Sequence, residues 1–382
     1  MASKSIDQNV TEILISAGEL SGDTLAAEIL SELQKIKPKS SKAVNYHFFG
    51  NTGPALRVAN VEKIHDIEEL SVVGLLEIAK EYRRLSKILD NLVELCIARK
   101  VKLAILIDFP GFHLKLGRKL KAHGIPTVLV SSPQIWGWRY KRIEKIRQSI
   151  QTVLCFYPFE EDIYLREGVN GQYVGHPLIP KILKARKEFP VKKEKNLIAL
   201  LPGSRKSEIL RLMPAMLDTV NVLQEQGKNW KYEIAVAHDG ARRILQQFEL
   251  PPKVILSKRP TYALLSRANS ALACSGTVTL ECAYFQTPFL LMYSANALTA
   301  WLARKIMTIP YLGIVNAVLG RFATAEFLQE EIIAEHMASE LIRLQESKNR
   351  RASMLADFQL VEKKMGSGKA ATLAARAIHS LL

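Results

Sequence analysis

Short, almost wholly apolar runs recur along this chain, each followed by small or turn-forming residues and then by helical spacing. Ile13-Leu14-Ile15 leads through Gly18 and Gly22 into a helix predicted from about Asp23, with Leu25, Ile29, Leu33 and Ile36 on one face. Leu103 to Ile107 and Thr127 to Val130 are two more such runs. Strands with no polar face must be covered on both sides, which calls for a parallel sheet between two layers of helices. The first half therefore reads as a doubly wound α/β unit.

The pattern lapses near His176. Pro177 and Pro180 precede a segment with seven basic and two acidic residues over 181–195, the texture of a solvated linker. It resumes with Leu197 to Leu201, Glu233 to Ala237, Val254 to Leu256 and Ala271 to Cys274. At roughly 100–200 residues per domain, 382 residues give about two domains. The expected layout is an N-terminal Rossmann-like domain over 1–178, a basic linker over 179–195, a second Rossmann-like domain over 196–345 and C-terminal helices over 346–382. Such domains face a cleft, and open α/β sheets take ligands beyond the carboxyl ends of their strands.

Several classes fall away. The four cysteines form no CxxC, and no HxH, HExxH or DxD spacing occurs, so neither a disulfide scaffold nor a metal site is expected. No uncharged apolar run reaches the ~20 residues of a membrane span. The polar start MASKSIDQNVTE lacks a signal-peptide core, which predicts a cytoplasmic protein. The net charge of +16 suits nucleic acid, anionic headgroups or phosphorylated substrates alike.

Five turns that follow strands carry candidate chemistry. In Leu201-Pro202-Gly203-Ser204-Arg205-Lys206-Ser207-Glu208, helix-terminal amides and the Arg205 fork could hold a phosphate; alternatively Ser204 and Glu208 form a capping box with Arg205 solvated. In Cys274-Ser275-Gly276-Thr277-Val278-Thr279-Leu280-Glu281, Ser275, Gly276 and Thr277 could face a diphosphate and Glu281 a ribose, or Glu281 is an ordinary surface acid. Gly18, Glu19 and Ser21 lie in the turn after the first strand, where Asp23 reads as a cap of its own helix and Glu19 has no helical task. Asp108 ends a buried strand, where apolar neighbours would raise its pKa toward general-base duty; the alternative is an aspartate bonding turn amides. Beyond Val130, Gln134, Trp136 and Trp138 could pack on a sugar or acyl chain, or fill core.

Taken together, SAGELSGD, SVVGLLE (71–77), IDFPGF, SSPQIWGW, YPFE, VGHPL, LPGSRKSEI and SGTVTLE resemble, in order and spacing, the lipid-A-disaccharide synthase family over about residues 12–330. The resemblance implies an inverting glycosyltransferase of GT-B architecture without a cofactor. Its donor would be UDP-2,3-diacylglucosamine, its acceptor 2,3-diacylglucosamine 1-phosphate, and its product a β-1,6 disaccharide with UDP released. It places the family's essential aspartate on Asp108, its essential arginine on Arg205, its glutamate on Glu281 and its asparagine on Asn316, with Glu19 in reserve as base. Val315, Gly111, His113 and the Gly50-Asn51 block depart from the family pattern.

Acylated substrates give the basic surface a use. Residues 297–307, with Trp301 beside Arg304 and Lys305, could form an amphipathic helix on an anionic membrane, so a peripheral location on the inner face of the inner membrane is expected. An oligomer is compatible with this reading. A UDP-sugar epimerase on the same architecture is the alternative. Charge also suggests nucleic acid, but no RNA-binding motif occurs, so no nucleic-acid partner is expected.

Overall fold

The computed structural model describes residues 10–36, 45–70, 78–137, 140–295, 309–366 and 368–382. They form two compact units, Met1–Pro177 with Gly368–Leu382, and Leu178–Ser367.

In the first unit the chain runs β1 (Val10–Ala17), α1 (Leu20–Gln34), β2 (Asn45–Thr52), α2 (Pro54–Val58), β3 (Glu62–Asp66), α3 (Ile78–Ala98), β4 (Leu103–Ile107), α4 (Pro110–Ala122), β5 (Thr127–Val130), α5 (Arg142–Ser149), β6 (Thr152–Cys155), α6 (Pro158–Arg166) and β7 (Asn170–Tyr173). The strands are parallel in the order β3-β2-β1-β4-β5-β6-β7. Alternation divides each apolar run between two cores. Ile13 and Ile15 join Ile105, Ile107 and Val130 under α1, whereas Leu14, Ala104, Leu106 and Leu129 meet α3 and α4. Burying each large aliphatic contributes about 1.5–3 kcal/mol. The strand order reverses between β1 and β4, so the turns after these two strands flank the switch point where such sheets bind ligands.

The second unit runs α7 (Leu178–Glu188), β8 (Glu194–Leu201), α8 (Lys206–Glu225), β9 (Lys231–Ile234), α9 (Asp239–Leu245), β10 (Val254–Leu256), α10 (Thr261–Arg267), β11 (Ala268–Cys274), α11 (Val278–Tyr284), β12 (Phe289–Tyr293), α12 (Ile314–Leu319), β13 (Glu326–Leu328), α13 (Ala334–Glu346) and α14 (Lys348–Met365). Its parallel order is β10-β9-β8-β11-β12-β13, with the reversal between β8 and β11.

Two expectations change. The segment read as a solvated linker is largely the helix α7, with Ile179, Ile182 and Ala185 buried. Its Lys193 is drawn inward, donating to the Leu265 carbonyl at 2.7 Å and to Thr287 Oγ1 at 2.7 Å, and burial lowers its pKa to about 7. The C-terminal helices also part company. α14 buries Phe358 against Phe289 in the second unit, with ring centroids 5.8 Å apart. The last helix, α15 (Ala370–His379), belongs to the first unit, where Ala374, Ala375 and Ile378 complete the core under α1 and Thr372 bonds Glu32 at 2.7 Å.

Asp23 does not cap its own helix. Its carboxylate accepts from the amides of Gly53 (2.7 Å), Ala55 (2.7 Å) and Leu56 (3.3 Å), closing the start of α2. Asp23→Ala would strand these amides, two of them in fully buried bonds, and should lower stability in urea unfolding by about 1–3 kcal/mol. Asp23→Asn keeps an acceptor and should lose less.

Candidate active site

Ala17 and Ile107 are register partners at the ends of β1 and β4, so the Gly18–Asp23 and Asp108–Pro110 turns meet. They meet closely. A Cβ on Gly18 would lie 2.2 Å from Phe109 Cβ, and one on Gly22 would lie 3.0 Å from Asp108 Oδ2. The glycines are therefore required by contact: they let the Asp108 carboxylate rest on the first turn of α1. Glu19 occupies the N-cap of α1 without a side-chain cap bond and is exposed, as is Ser21.

Asp108 is partly buried, and its pKa is raised. Burial is the main cause, the charge of Glu19 adds to it, and a hydrogen bond from Ser131 opposes it. Asp108 (φ 56°), Phe109 (φ 43°) and Ser131 (φ 75°) all adopt left-handed backbone. For residues other than glycine this costs on the order of 1–3 kcal/mol each, and such strain gathers where a side chain must be aimed.

Around Asp108 lies a buried chain of neutral groups. His113 Nδ1 is 2.7 Å from the Asp108 carbonyl, its Nε2 is 2.8 Å from Ser16 Oγ, and Asn51 Nδ2 donates to Ser16 Oγ at 2.8 Å. Sequence reasoning noted His113 only as a departure from the family. Beside Phe109, a groove of about 220 Å³ runs between α3 and α4, lined by Tyr82, Leu85, Leu89, Phe109, Phe112 and Lys115.

The loop after β5 corrects one expectation. Gln134 is exposed, but Trp136 is buried, packs on Phe159 at 5.1 Å and donates from Nε1 to Glu160 Oε1 at 2.9 Å. It fills core and satisfies a buried acid, so it is not a ligand platform. Glu160 also accepts the Phe156 and Tyr157 amides at 3.1 Å each, and burial raises its pKa to about 7. Trp138, Trp301 and the 71–77 block lie outside the described residues.

In the second unit, Leu201 and Ala273 are register partners, which sets the turns after β8 and β11 side by side. Cys274 senses Glu208, Glu281 and Arg205 together, although burial is the main reason its pKa rises to about 12. Gly203 (φ 105°) turns the chain into α8, and Arg205 is its N-cap. The capping alternative holds in altered form. Glu208 Oε2 accepts the amides of Ser204 and Arg205 at 3.2 Å each, while its Oε1 pairs with Arg205 at 3.2 Å. These two amides are thus already taken. The Arg205 guanidinium, 81% exposed, is the group left facing solvent.

Across from it, Gly276 (φ 142°) has open space where a Cβ would stand, Ser275 Oγ is 3.4 Å from the Leu312 carbonyl, and Thr277 is exposed. Burial raises Glu281 to a pKa of about 7, and the Tyr262 hydroxyl donates to it at 3.4 Å. Asn316 sits differently from the expectation. It is fully buried, with Nδ2 bonded to the Thr324 carbonyl (2.9 Å) and Glu326 (2.7 Å), and Oδ1 accepting the Ala323 (2.8 Å) and Thr324 (2.9 Å) amides. Its amide is saturated within the protein, where it shapes the 312–326 loop. His238 was not anticipated: it caps α9 through Nδ1 and donates from Nε2 to the Ser204 carbonyl at 2.9 Å.

A family model described as LpxB, lipid-A-disaccharide synthetase, matches residues 13–377. The chain belongs to that family. Lipid-A-disaccharide synthases of Solibacter usitatus and Myxococcus xanthus are 37% and 33% identical to it, over 97% and 98% of both chains. Among solved structures it is similar to the calicheamicin glycosyltransferase CalG4 (TM-score 0.58, 12% identity, 99% of each chain). It is also similar to Acinetobacter baumannii MurG (TM-score 0.54, 13%, 92% of this chain and 95% of that one). A Neisseria meningitidis UDP-GlcNAc 2-epimerase bound to UDP-GlcNAc aligns with TM-score 0.59 at 12% identity, over 97% of this chain and 100% of that one. This lipid-A-disaccharide synthase family member thus has the GT-B glycosyltransferase fold. Among its described residues, no helix is long and apolar enough to cross a membrane.

Trp136→Phe should cost about 1–3 kcal/mol in urea unfolding, because Glu160 loses a buried donor. Substrate KM should stay unchanged, and a raised KM with intact stability would return Trp136 to the ligand site.

Proposed function

We propose that this glycosyltransferase moves 2,3-diacylglucosamine from UDP to the 6-hydroxyl of 2,3-diacylglucosamine 1-phosphate, forming a β-1,6 bond with inversion. The observation that carries the reading is Asp108: a strained, partly buried carboxylate of raised pKa at a sheet switch point, in a family whose curated relatives bear the synthase name. Asp108 takes the acceptor proton as that oxygen bonds to the anomeric carbon. The bond from this carbon to the diphosphate breaks, and UDP leaves with the electron pair. A single displacement inverts the centre and needs no covalent nucleophile.

Arg205 supports the leaving diphosphate, since its exposed guanidinium presents parallel donors and exchanges Glu208 for phosphate oxygens. Gly276 allows close approach there, with Ser275 and Thr277 beside it. Glu281 accepts the ribose hydroxyls. Glu19 tunes Asp108 by its charge and is second in line as base. The α3–α4 groove beside Phe109 suits one acyl chain of the acceptor, in place of the buried Trp136. The charge of +16 supports peripheral attachment to the anionic inner face of the inner membrane.

The epimerase reading is not favoured. Full-length relatives at 31–37% identity are named as synthases, whereas the epimerase likeness at 12% identity speaks for the fold alone.

A transfer assay with both lipids tests the proposal. Asp108→Asn should lose about 10²–10⁴-fold in kcat, the usual share of a general base. Arg205→Ala should mainly weaken UDP binding. Full turnover in Asp108→Asn, or epimer formed from donor alone, would sink it.

Glu281 adds a pH test. With a pKa near 7 in the free protein and ribose hydroxyls favouring the anion, UDP binding should release up to about half a proton per site at pH 7. Affinity should rise from pH 6 to pH 8, and Glu281→Gln should flatten that rise in calorimetric titrations.

A further inference from the structure

The buried chain behind Asp108 has a direction that can be read from its chemistry. The Asp108 carbonyl only accepts, so His113 Nδ1 carries the proton and donates across the 2.7 Å contact. In a neutral ring Nε2 is then an acceptor, and the 2.8 Å contact must be filled by the Ser16 hydroxyl hydrogen. The Ser16 oxygen in turn accepts from Asn51 Nδ2 at 2.8 Å. Every bond points the same way, from β2 through β1 to the turn after β4. His113 is fully buried, and that burial holds its pKa down to about 4, in keeping with a neutral ring.

The target of this chain is informative. The carbonyl it grips belongs to Asp108, the first of two successive left-handed residues. That peptide can relax only by rotating, and rotation would carry the carboxylate away from the first turn of α1. Phe109 and Phe112 wall the imidazole at ring distances of 6.4 and 5.6 Å, which fixes its plane.

We propose that His113 is a positioning residue for the transfer reaction: a neutral, single-tautomer strut, braced by Ser16 and Asn51, that holds the Asp108 turn in its left-handed conformation. It touches no reacting atom. The inference rests on Asp108 being the base, so its test needs a readout independent of turnover.

That readout is the imidazole nitrogen spectrum of the full-length wild-type protein with ¹⁵N-labelled histidine. Nδ1 should be protonated and Nε2 bare at neutral pH. A proton on Nε2 would overturn the strut whether or not the protein transfers sugar.

Turnover then separates positioning from space-filling. His113→Leu keeps bulk and loses both bonds, and kcat should fall about 10²-fold, the scale of a misplaced reacting group, with donor KM unchanged. His113→Asn keeps an N–H donor at the Nδ1 position, toward the Asp108 carbonyl, and should recover most of that loss. Near-UV circular dichroism confirms that each variant is folded. Equal activity in the two variants, at either level, would refute the proposal.

Discussion

Everything at the front of the first sheet depends on how near two turns come to each other. Gly18 and Gly22 have no side chain because Phe109 and Asp108 occupy the space where one would be. Without that approach the left-handed residues at 108 and 109 would lose a main part of what holds them, beside the His113 contact on the Asp108 carbonyl. The contact thus converts an unfavourable backbone into an aimed carboxylate. Asp23, in the same turn of helix, spends its charge on the amides of α2 and locks the neighbouring loop.

Three acids show how surroundings divide one chemistry into separate tasks. Glu160 is enclosed by a tryptophan N–H and two amides and does structural work. Glu281 is as strongly raised in pKa but has, among the described residues, one weak protein donor, which leaves it capacity for hydroxyls of a ligand. Asp108 stands between, with Ser131 holding it toward the anion and Glu19 pushing it toward the acid. Glu208 is the counterexample: it sits on the amides that a phosphate would seek, so in the proposed reaction Arg205, and not these amides, meets the diphosphate at that turn.

Much of this was legible from residue order. Apolar runs announced the strands, and the turns after Ala17, Ile107, Leu201 and Cys274 proved to lie at the reversals of the two sheets. What stayed hidden were partners far away in the chain. Nothing local to Trp136 says that its N–H meets an acid 24 positions on, and nothing near Asp23 says that it caps a helix 30 residues later. Asn316 matched a family block, yet its saturated amide is visible only once the 320–326 turn folds over it. The basic segment misled because its lysines masked a three-residue apolar spacing, Ile179, Ile182 and Ala185.

The return of α15 to the first unit has a bearing on synthesis. Residues 370–379 supply part of the layer that covers Ile29 and Leu33, so the nascent N-terminal half emerges from the ribosome with an apolar strip uncovered. Nearly two hundred codons, those for Leu178–Ser367, are translated before the missing piece arrives. The half that carries Asp108 is thus finished last, although its first strand is made first.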